Sequence, residues 1–132
     1  MTPKPRSAEC FDGWYADKAA APQVQQIMNR HLELPPDALA GVVAAVAIDE
    51  MAEQLRLTPS DVLLDLACGR GWYGLEIAAG TGARLIGVDF SAEAVRQARR
   101  QAALRGNRDA EFRTGDGARA GPLAAGRRAR SG

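Results

Sequence analysis

The segment from Val62 to Gly74, VLLDLACGRGWYG, limits the possible folds of this chain more than any other part of its sequence. An apolar run of strand length carries an acidic residue, Asp65, at its end and leads into a turn that contains Gly69 and Gly71. A turn of this kind lets the backbone approach a nucleotide-like ligand closely, because glycine has no Cβ atom in the way. The segment therefore predicts a strand, a ligand-binding turn and a helix, in that order.

The same alternation of strand and helix continues after the turn. A helix is predicted from Trp72 to Ala79, a strand from Arg84 to Val88, a helix from the N-cap Ser91 to about Arg105, and a strand from Ala110 to Thr114. Strands and helices that alternate with short turns require parallel strands with right-handed crossovers. The predicted fold class is therefore α/β: a Rossmann-like parallel sheet in the order βαβαβ, preceded by N-terminal helices.

Residues 1–116 divide into two predicted regions. Residues 1–57 are predicted to form a helical region that includes a cap or lid, and residues 58–116 to form the Rossmann-like half-domain. In the first region, one helix is predicted from Pro22 to Leu32. A second is predicted from the N-cap Asp37 to Arg56, with a break near its start at Gly41. Three aromatic residues near the N-terminus must cover either a ligand pocket or the core: Phe11, Trp14 and Tyr15.

Residues 117–132 lose this patterning. Gly, Ala, Arg and Pro make up 14 of the 16 residues of GARAGPLAAGRRARSG. These amino acids have GC-rich codons, so the tail is predicted to be either disordered or an out-of-frame product, with the second favoured. A parallel sheet that stops after its third strand leaves its first strand as an unprotected edge. We therefore expect the chain to be truncated there and able to form a homo-oligomer through that edge.

The charge and the cysteines limit the partners and the compartment. The formal net charge is +1 and no concentrated basic face is expected, which argues against nucleic acid and against an anionic membrane surface as partners. The two cysteines, Cys10 and Cys68, lie in different surroundings and form no disulfide framework. No segment has the pattern of a signal peptide or a membrane span. We therefore predict a cytoplasmic protein without a nucleic-acid or membrane partner.

The glycine spacing by itself leaves two classes of cofactor open. Gly69, Gly71 and Gly74 form the pattern G-x-G-x-x-G, and Asp89 follows at the end of the next strand, as in dinucleotide-binding proteins. This pattern supports an NAD(P)-dependent oxidoreductase as an alternative. Asp65 argues against it, because a carboxylate near the turn would repel a pyrophosphate and would suit a ligand that carries positive charge.

Three motifs, taken together, resemble those of one enzyme family. They are DLACGRG at Asp65 to Gly71, GVDFS at Gly87 to Ser91, and GD at Gly115 and Asp116. In this order the chain resembles the class I S-adenosylmethionine-dependent methyltransferases, in particular the small-molecule methyltransferases of the UbiE-like kind, from about Thr58 to Asp116. The resemblance implies S-adenosyl-L-methionine as cofactor and methyl transfer to a small molecule. Because the acceptor pocket of the family is normally built from the fourth strand onward, we expect this chain to be weakly active or inactive.

The resemblance also implies which residues contact the methionine part of the cofactor. Asp65 would orient the glycine turn and face the methionine ammonium group. The backbone of Ala67 and Gly69 would approach the methionine part, and Gly71 would permit the tight turn. A simpler alternative is that Asp65 merely caps the glycine turn.

The nucleoside part of the cofactor has its own implied contacts. Asp89 would accept hydrogen bonds from both ribose hydroxyls, and Phe90 would lie against one adenine face. Asp116 would accept a hydrogen bond from the adenine amine, and the N–H of Gly117 would reach a ring nitrogen. The simpler alternative for Asp89 is that it caps the helix that begins near Ser91.

No residue of the sequence is a convincing catalytic base, and none has metal-ligand spacing. His31 is the only histidine and is predicted to lie on the surface at a helix end. Cys68 is predicted to be a small, partly buried loop residue. A third functional class therefore stays open besides the two enzymes: a non-catalytic remnant or interaction module that folds with a partner.

Overall fold

A computed structural model describes residues 6–39 and 45–116 of the chain. In these two ranges the chain forms five helices and three strands. In chain order they are α1 (Arg6–Ala20), α2 (Pro22–His31), α3 (Ala45–Leu55), β1 (Val62–Leu66), α4 (Trp72–Thr81), β2 (Arg84–Asp89), α5 (Ala92–Leu104) and β3 (Ala110–Thr114).

The three strands form one parallel sheet in the order β1-β2-β3. Asp65 of β1 pairs with Gly87 of β2, which pairs with Phe112 of β3, so these three residues lie on the same face of the sheet. The crossover helices α4 and α5 contact each other and pack on that face. The predicted fold class, a Rossmann-like βαβαβ sheet preceded by helices, is confirmed.

The helix ends follow from local sequence chemistry. Ser91 precedes α5, and its side-chain oxygen accepts a hydrogen bond from the N–H of Ala94 at 3.1 Å, as predicted for an N-cap. Gly71 and Gly82 flank α4, both with left-handed backbone conformations at φ values of 83° and 75°. Such φ values favour glycine, so the sequence allows α4 to begin and end only at these positions.

The core between the sheet and the helices depends on Phe112 of β3. This side chain is 3% exposed and fills the space below two glycines. A Cβ atom added at Gly87 would lie 2.5 Å from Phe112 Cδ1, and one added at Gly71 would lie 2.7 Å from Phe112 Cζ. The remaining buried residues of this cluster are Cys68, Leu75, Ala78, Leu85, Val95, Ala98 and Ala102. The two glycines are therefore required for packing as well as for turn geometry.

The opposite face of the sheet is partly open among the described residues. Leu64 and Leu66 of β1 are 39% and 47% exposed. They pair with Ile86 and Val88 of β2, which are buried. β1 is the terminal strand of the described sheet, so its outer edge has no strand partner within residues 6–39 and 45–116. This agrees with the expected unprotected edge.

Helix α1 lies in the N-terminal region that was predicted to be helical, although no individual helix was predicted at its residues. α1 spans 15 residues, although residues 1–21 show little periodicity. Gly13 lowers the helix propensity in its centre, and the helix is weakly amphipathic, with Ala8 as its fully buried residue and Phe11 and Trp14 exposed. Contacts with α5, which lies far along the chain, therefore stabilise α1.

Several sequence predictions fall outside the described residues. The break at Gly41 and the tail at residues 117–132 lie in the parts that the structure leaves undescribed, as does Gly117. α2 agrees with the helix predicted from Pro22 to Leu32, and α3 ends at Leu55, close to the predicted Arg56. The predicted start of the second helix at Asp37 is wrong, because residues 36–37 form a turn and α3 begins at Ala45. Within the described ranges, no helix combines the length and the apolar character that a membrane span needs.

Candidate functional site

The turn between β1 and α4 forms the centre of the site. Ala67, Gly69 and Gly71 all have positive φ values, of 56°, 56° and 83°. The N–H of Cys68 donates to the carbonyl oxygen of Val88 at 3.0 Å, and the N–H of Gly71 donates to the carbonyl oxygen of Cys68 at 3.0 Å. The left-handed conformation of Ala67 costs about 1–2 kcal/mol for a residue with a side chain. The chain thus holds a strained turn at the carboxyl end of β1, where α/β proteins bind ligands.

Asp89 connects this turn to the start of α5. Its Oδ2 atom accepts a hydrogen bond from the N–H of Gly69 at 2.9 Å, and its Oδ1 atom accepts one from the N–H of Ser91 at 2.9 Å. The residue is 4% exposed. The simpler interpretation, a contact with the helix start, therefore describes one of its two oxygens. The other oxygen holds the glycine turn in place.

Asp65 lies on the face of the sheet on which α4 and α5 pack, next to the first turn of α4. A Cβ atom added at Gly74 would lie 2.8 Å from Asp65 Oδ2, so this third glycine makes room for the carboxylate. Burial, and secondly the negative charge of Asp89, raise the pKa of Asp65 from 3.8 to about 6. Among the described residues, no arginine or lysine forms an ion pair with either carboxylate. The site therefore concentrates negative charge without a counter-charge.

Helix α1 covers this arrangement. Asp12 Oδ1 accepts hydrogen bonds from Ser91 Oγ at 2.7 Å and from the N–H of Glu93 at 3.2 Å. Tyr15 reaches the glycine turn, since its hydroxyl oxygen lies 3.0 Å from the place where a Cβ of Gly69 would be. Burial, followed by the charge of Asp89, raises the pKa of Tyr15. Asp12 and Tyr15 therefore belong to the site, although the sequence pattern gave Asp12 no role.

The aromatic cluster of α1 contacts Phe90, which follows Asp89. The ring of Phe90 lies 5.3 Å from that of Phe11, centroid to centroid, at an interplanar angle of 53°. Phe11 also contacts Trp14 and Tyr15. In this structure Phe11 thus lies against the ring that was expected to contact adenine. The aromatic residues were predicted to cover either a ligand pocket or the core. Phe11 and Tyr15 lie over the predicted ligand site, which favours the first interpretation.

The third motif reaches the same edge of the sheet. The N–H of Gly115 donates to the backbone carbonyl oxygen of Asp89 at 2.9 Å, which places Asp116 directly after β3 and beside the end of β2. Asp116 is exposed. The structure therefore brings Asp65, Asp89 and Asp116 to the carboxyl ends of three adjacent strands.

Neither Cys68 nor His31, the two residues considered for reactivity, has a position that indicates a catalytic role. Cys68 is 8% exposed, and burial, followed by the charges of Asp65 and Asp89, raises the pKa of its thiol. His31 is exposed at the end of α2, away from the glycine turn. Within the described residues, no group of three or more His, Cys, Asp and Glu side chains could hold a metal ion. The polar groups of the site are backbone groups, carboxylates and the Tyr15 hydroxyl.

Known proteins resemble this chain in sequence and in fold. A family model described as a methyltransferase domain matches residues 57–122. The human tRNA (uracil-5-)-methyltransferase homolog B is 31% identical over 94 residues, which are 69% of this chain and 18% of that protein. The chain therefore spans less than a fifth of the length of this relative.

Solved structures give the same result. An RNA methyltransferase from Salinibacter ruber, in complex with S-adenosyl-L-homocysteine, is 32% identical with a TM-score of 0.55, over 58% of this chain and 51% of that chain. A methyltransferase from Thiobacillus denitrificans, described as S-adenosylmethionine-dependent and also in complex with S-adenosyl-L-homocysteine, is 26% identical with a TM-score of 0.54, over 61% of this chain and 33% of that chain.

The fold and the glycine turn, with carboxylates at the strand ends, define a Rossmann-like methyltransferase domain. The match over residues 57–122 covers half of the chain, and the chain belongs to the methyltransferase-domain family. The resemblance to class I methyltransferases is thereby confirmed. The NAD(P)-dependent oxidoreductase alternative is not favoured.

Proposed function

We propose that this chain binds S-adenosyl-L-methionine at the carboxyl edge of its sheet, as the cofactor-binding part of a methyltransferase. One observation carries the proposal: Asp65 and Asp89 flank the glycine turn without a cationic partner among the described residues. Two nearby carboxylates in a partly buried site are stabilised by a cation. S-adenosyl-L-methionine carries both a sulfonium and an ammonium group. The pyrophosphate of NAD(P) carries the opposite charge and would be repelled.

The methionine part would lie on the turn itself. Asp65 would face the ammonium group, and the backbone of Ala67 and Gly69 would contact the methionine part. Gly71 would let the start of α4 lie close to the ligand. Its φ of 83° favours glycine, which has no Cβ atom between the backbone and the ligand. The raised pKa of Asp65 supports this assignment, since a cationic ligand would stabilise the ionised form that burial now disfavours.

The nucleoside part would lie at the ends of β2 and β3. Asp89 would accept the ribose hydroxyls with the acceptor positions that Gly69 and Ser91 leave unused, because each carboxylate oxygen accepts more than one hydrogen bond. Phe90 would lie against adenine, and Asp116 and Gly117 would contact its edge. Asp89 is 4% exposed, so a ligand reaches it only when α1 shifts outward.

Bound S-adenosyl-L-methionine supplies an electrophilic methyl group. The reaction needs alignment of the acceptor with that methyl group more than it needs a base. The described residues that adjoin the turn fit this requirement, because they position backbone and carboxylate groups. We assign no catalytic acid or base to them.

A small molecule is the proposed methyl acceptor. A second candidate acceptor is RNA, because two of the similar proteins are named as a tRNA and an RNA methyltransferase. The net charge of +1 and the lack of an expected basic face argue against nucleic acid, whereas the names of these relatives favour testing both acceptors. The exposed Leu64 and Leu66 beside the free edge of β1 support a homo-oligomer as a further proposal.

Calorimetric titration of the purified chain with S-adenosyl-L-homocysteine and with NADH tests the proposed cofactor. We expect the first ligand to bind, and Asp65→Asn to weaken its affinity at least about tenfold, because the substitution removes a charge next to the ammonium group. Asp109→Asn is the matched control, since Asp109 is exposed and lies away from the site. Binding of NADH alone would refute the proposal.

A further inference from the structure

A second cluster of charges lies beside the glycine turn, in a cavity separate from the two carboxylates. The cavity has a volume of about 400 Å³, is partly open to solvent and is lined by residues of α1, α2, the segment at residues 36–39 and α5. Lys18, Arg70, Arg96 and Arg100 line it, and the only acidic residue of the described lining is Asp37. The walls therefore carry an excess of positive charge. Its volume is in the range of sites for small molecules.

Arg70 is the central cation of this cavity. It is 4% exposed, and its guanidinium group donates one hydrogen bond, of 2.8 Å, to Gln25 Oε1. No carboxylate of the described residues forms an ion pair with it. Burying an arginine without a counter-charge is costly. Among the described residues, the hydrogen bonds of the five guanidinium N–H donors include one acceptor, Gln25 Oε1, so N–H groups remain that can bind a ligand in the cavity. A bound anion would supply the missing charge.

A buried amide network holds Arg70 in this position. Gln25 Nε2 donates to Asn29 Oδ1 at 2.8 Å, so its other atom, Oε1, points to the guanidinium group. Asn29 is 0% exposed, and its Nδ2 atom donates to the carbonyl oxygens of Pro35, Pro36 and Ala38 at 3.1, 3.1 and 2.9 Å. The orientation of the cation is therefore fixed by the fold, as expected for a preformed binding group.

The other positive groups differ in how far they are already neutralised. Arg96 pairs with Glu93 at 2.6 Å, so it contributes little. Lys18 Nζ lies 4.1 Å from the centre of the Trp14 ring, and burial, followed by the charge of Arg70, lowers its pKa. Pro22, Gln25 and Gln26 of α2 also line the cavity, so this wall carries amide side chains and no acidic group.

We propose that this cavity binds a small molecule through a phosphate group, which Lys18, Arg70 and Arg100 hold between α1, α2 and α5. Three cations opposed by one carboxylate match a doubly charged oxyanion better than a singly charged carboxylate. Amide side chains in the lining, Gln26 and Gln101, can hydrogen-bond the rest of the molecule. The inference concerns a second ligand and does not depend on binding of the cofactor.

Calorimetric titration with inorganic phosphate and with phenyl phosphate, at constant ionic strength and without cofactor, tests this site. We expect saturable binding of both, weakened at least about tenfold by the combined substitutions Lys18→Gln and Arg100→Gln. Acetate and benzoate should bind at least about tenfold more weakly than the phosphates. Arg108→Gln is the matched control, because Arg108 is an exposed arginine outside the cavity, and it should leave the affinity unchanged.

A second variant separates a ligand-binding Arg70 from a structural one. Arg70→Gln should abolish phosphate binding while the melting temperature stays equal or rises, because an uncompensated buried charge is removed. A lower melting temperature with unchanged phosphate affinity would overturn the assignment. Equal weakening by Arg108→Gln would also overturn it, since binding would then follow net charge alone. Binding of an oligoribonucleotide without binding of phenyl phosphate would also refute the proposed phosphate site. The positive charges would then belong to a nucleic-acid-binding surface.

Discussion

Replacing Asp65 by asparagine should stabilise the folded chain in a pH-dependent manner. Burial and the charge of Asp89 raise the pKa of Asp65 from 3.8 to about 6 in the folded state. A carboxyl group with a raised pKa binds its proton more tightly when folded, so the chain loses stability as the pH rises from 3.8 towards 6. Asp65→Asn cannot ionise and therefore does not lose stability in this range.

The size of the effect follows from the two pKa values. The penalty for ionising Asp65 is about 1.5 kcal/mol near pH 5 and reaches about 3 kcal/mol at pH 8, at 1.36 kcal/mol for each pKa unit. Asp65 is only partly buried, and solvent screening reduces the penalty. We therefore expect Asp65→Asn to be more stable than the natural chain by about 1–2 kcal/mol at pH 8 and by roughly half of that at pH 5.

Urea unfolding of both proteins at several pH values between 5 and 8 measures this difference directly. Asp109→Asn serves as the control, because an exposed carboxyl group should give a difference close to zero at every pH. A stability difference for Asp65→Asn that is independent of pH, or that decreases as the pH rises, would refute the reasoning. Such a result would mean that a cationic group already neutralises Asp65 in the folded chain.

Three further predictions follow from the geometry of the site. Gly87→Ala should destabilise the chain by about 1–3 kcal/mol in urea unfolding, because its Cβ would lie 2.5 Å from Phe112 Cδ1, whereas Gly80→Ala, with open space at the Cβ, should stabilise the chain by up to about 1 kcal/mol. The affinity for S-adenosyl-L-homocysteine should fall about tenfold between pH 7 and pH 5, as Asp65 is protonated, and a flat calorimetric profile would contradict this. Asp12→Ala should lower stability by about 1 kcal/mol and increase solvent quenching of tryptophan fluorescence, because α1 loses its contacts with the start of α5; unchanged quenching would contradict the docking of α1.

The strands and the glycine turn could be predicted from sequence because their signals are local. β1 and β3 begin and end where the pattern placed them, at Val62–Leu66 and Ala110–Thr114, and β2 extends by one residue, to Asp89. Short apolar runs bounded by turn residues leave few alternatives for a strand. The convergence of the three motifs also follows from topology, because parallel strands align their carboxyl ends.

The parts that sequence could not predict depend on contacts between distant residues. α1 docks through Asp12 on Ser91, 79 residues away along the chain, and such a pairing leaves no local pattern. The position of Arg70 depends likewise on Gln25, which is 45 residues away. In the sequence, Arg70 lies between Gly69 and Gly71, and this pattern alone predicts an exposed turn residue. Tertiary packing, which local propensity does not encode, explains both differences.

Phe112 links the start of α4 to the middle of the sheet, so we predict that the proposed ligand site opens as slowly as the sheet itself. The ring of Phe112 packs against both Gly71 and Gly87. The first turn of α4 therefore cannot separate from β2 without exposing this ring. Hydrogen exchange at the amide of Gly71 should consequently require the same opening as exchange in the middle of the sheet. If the cofactor binds as proposed, we expect the floor of its pocket to keep this shape and α1 to make the conformational adjustment.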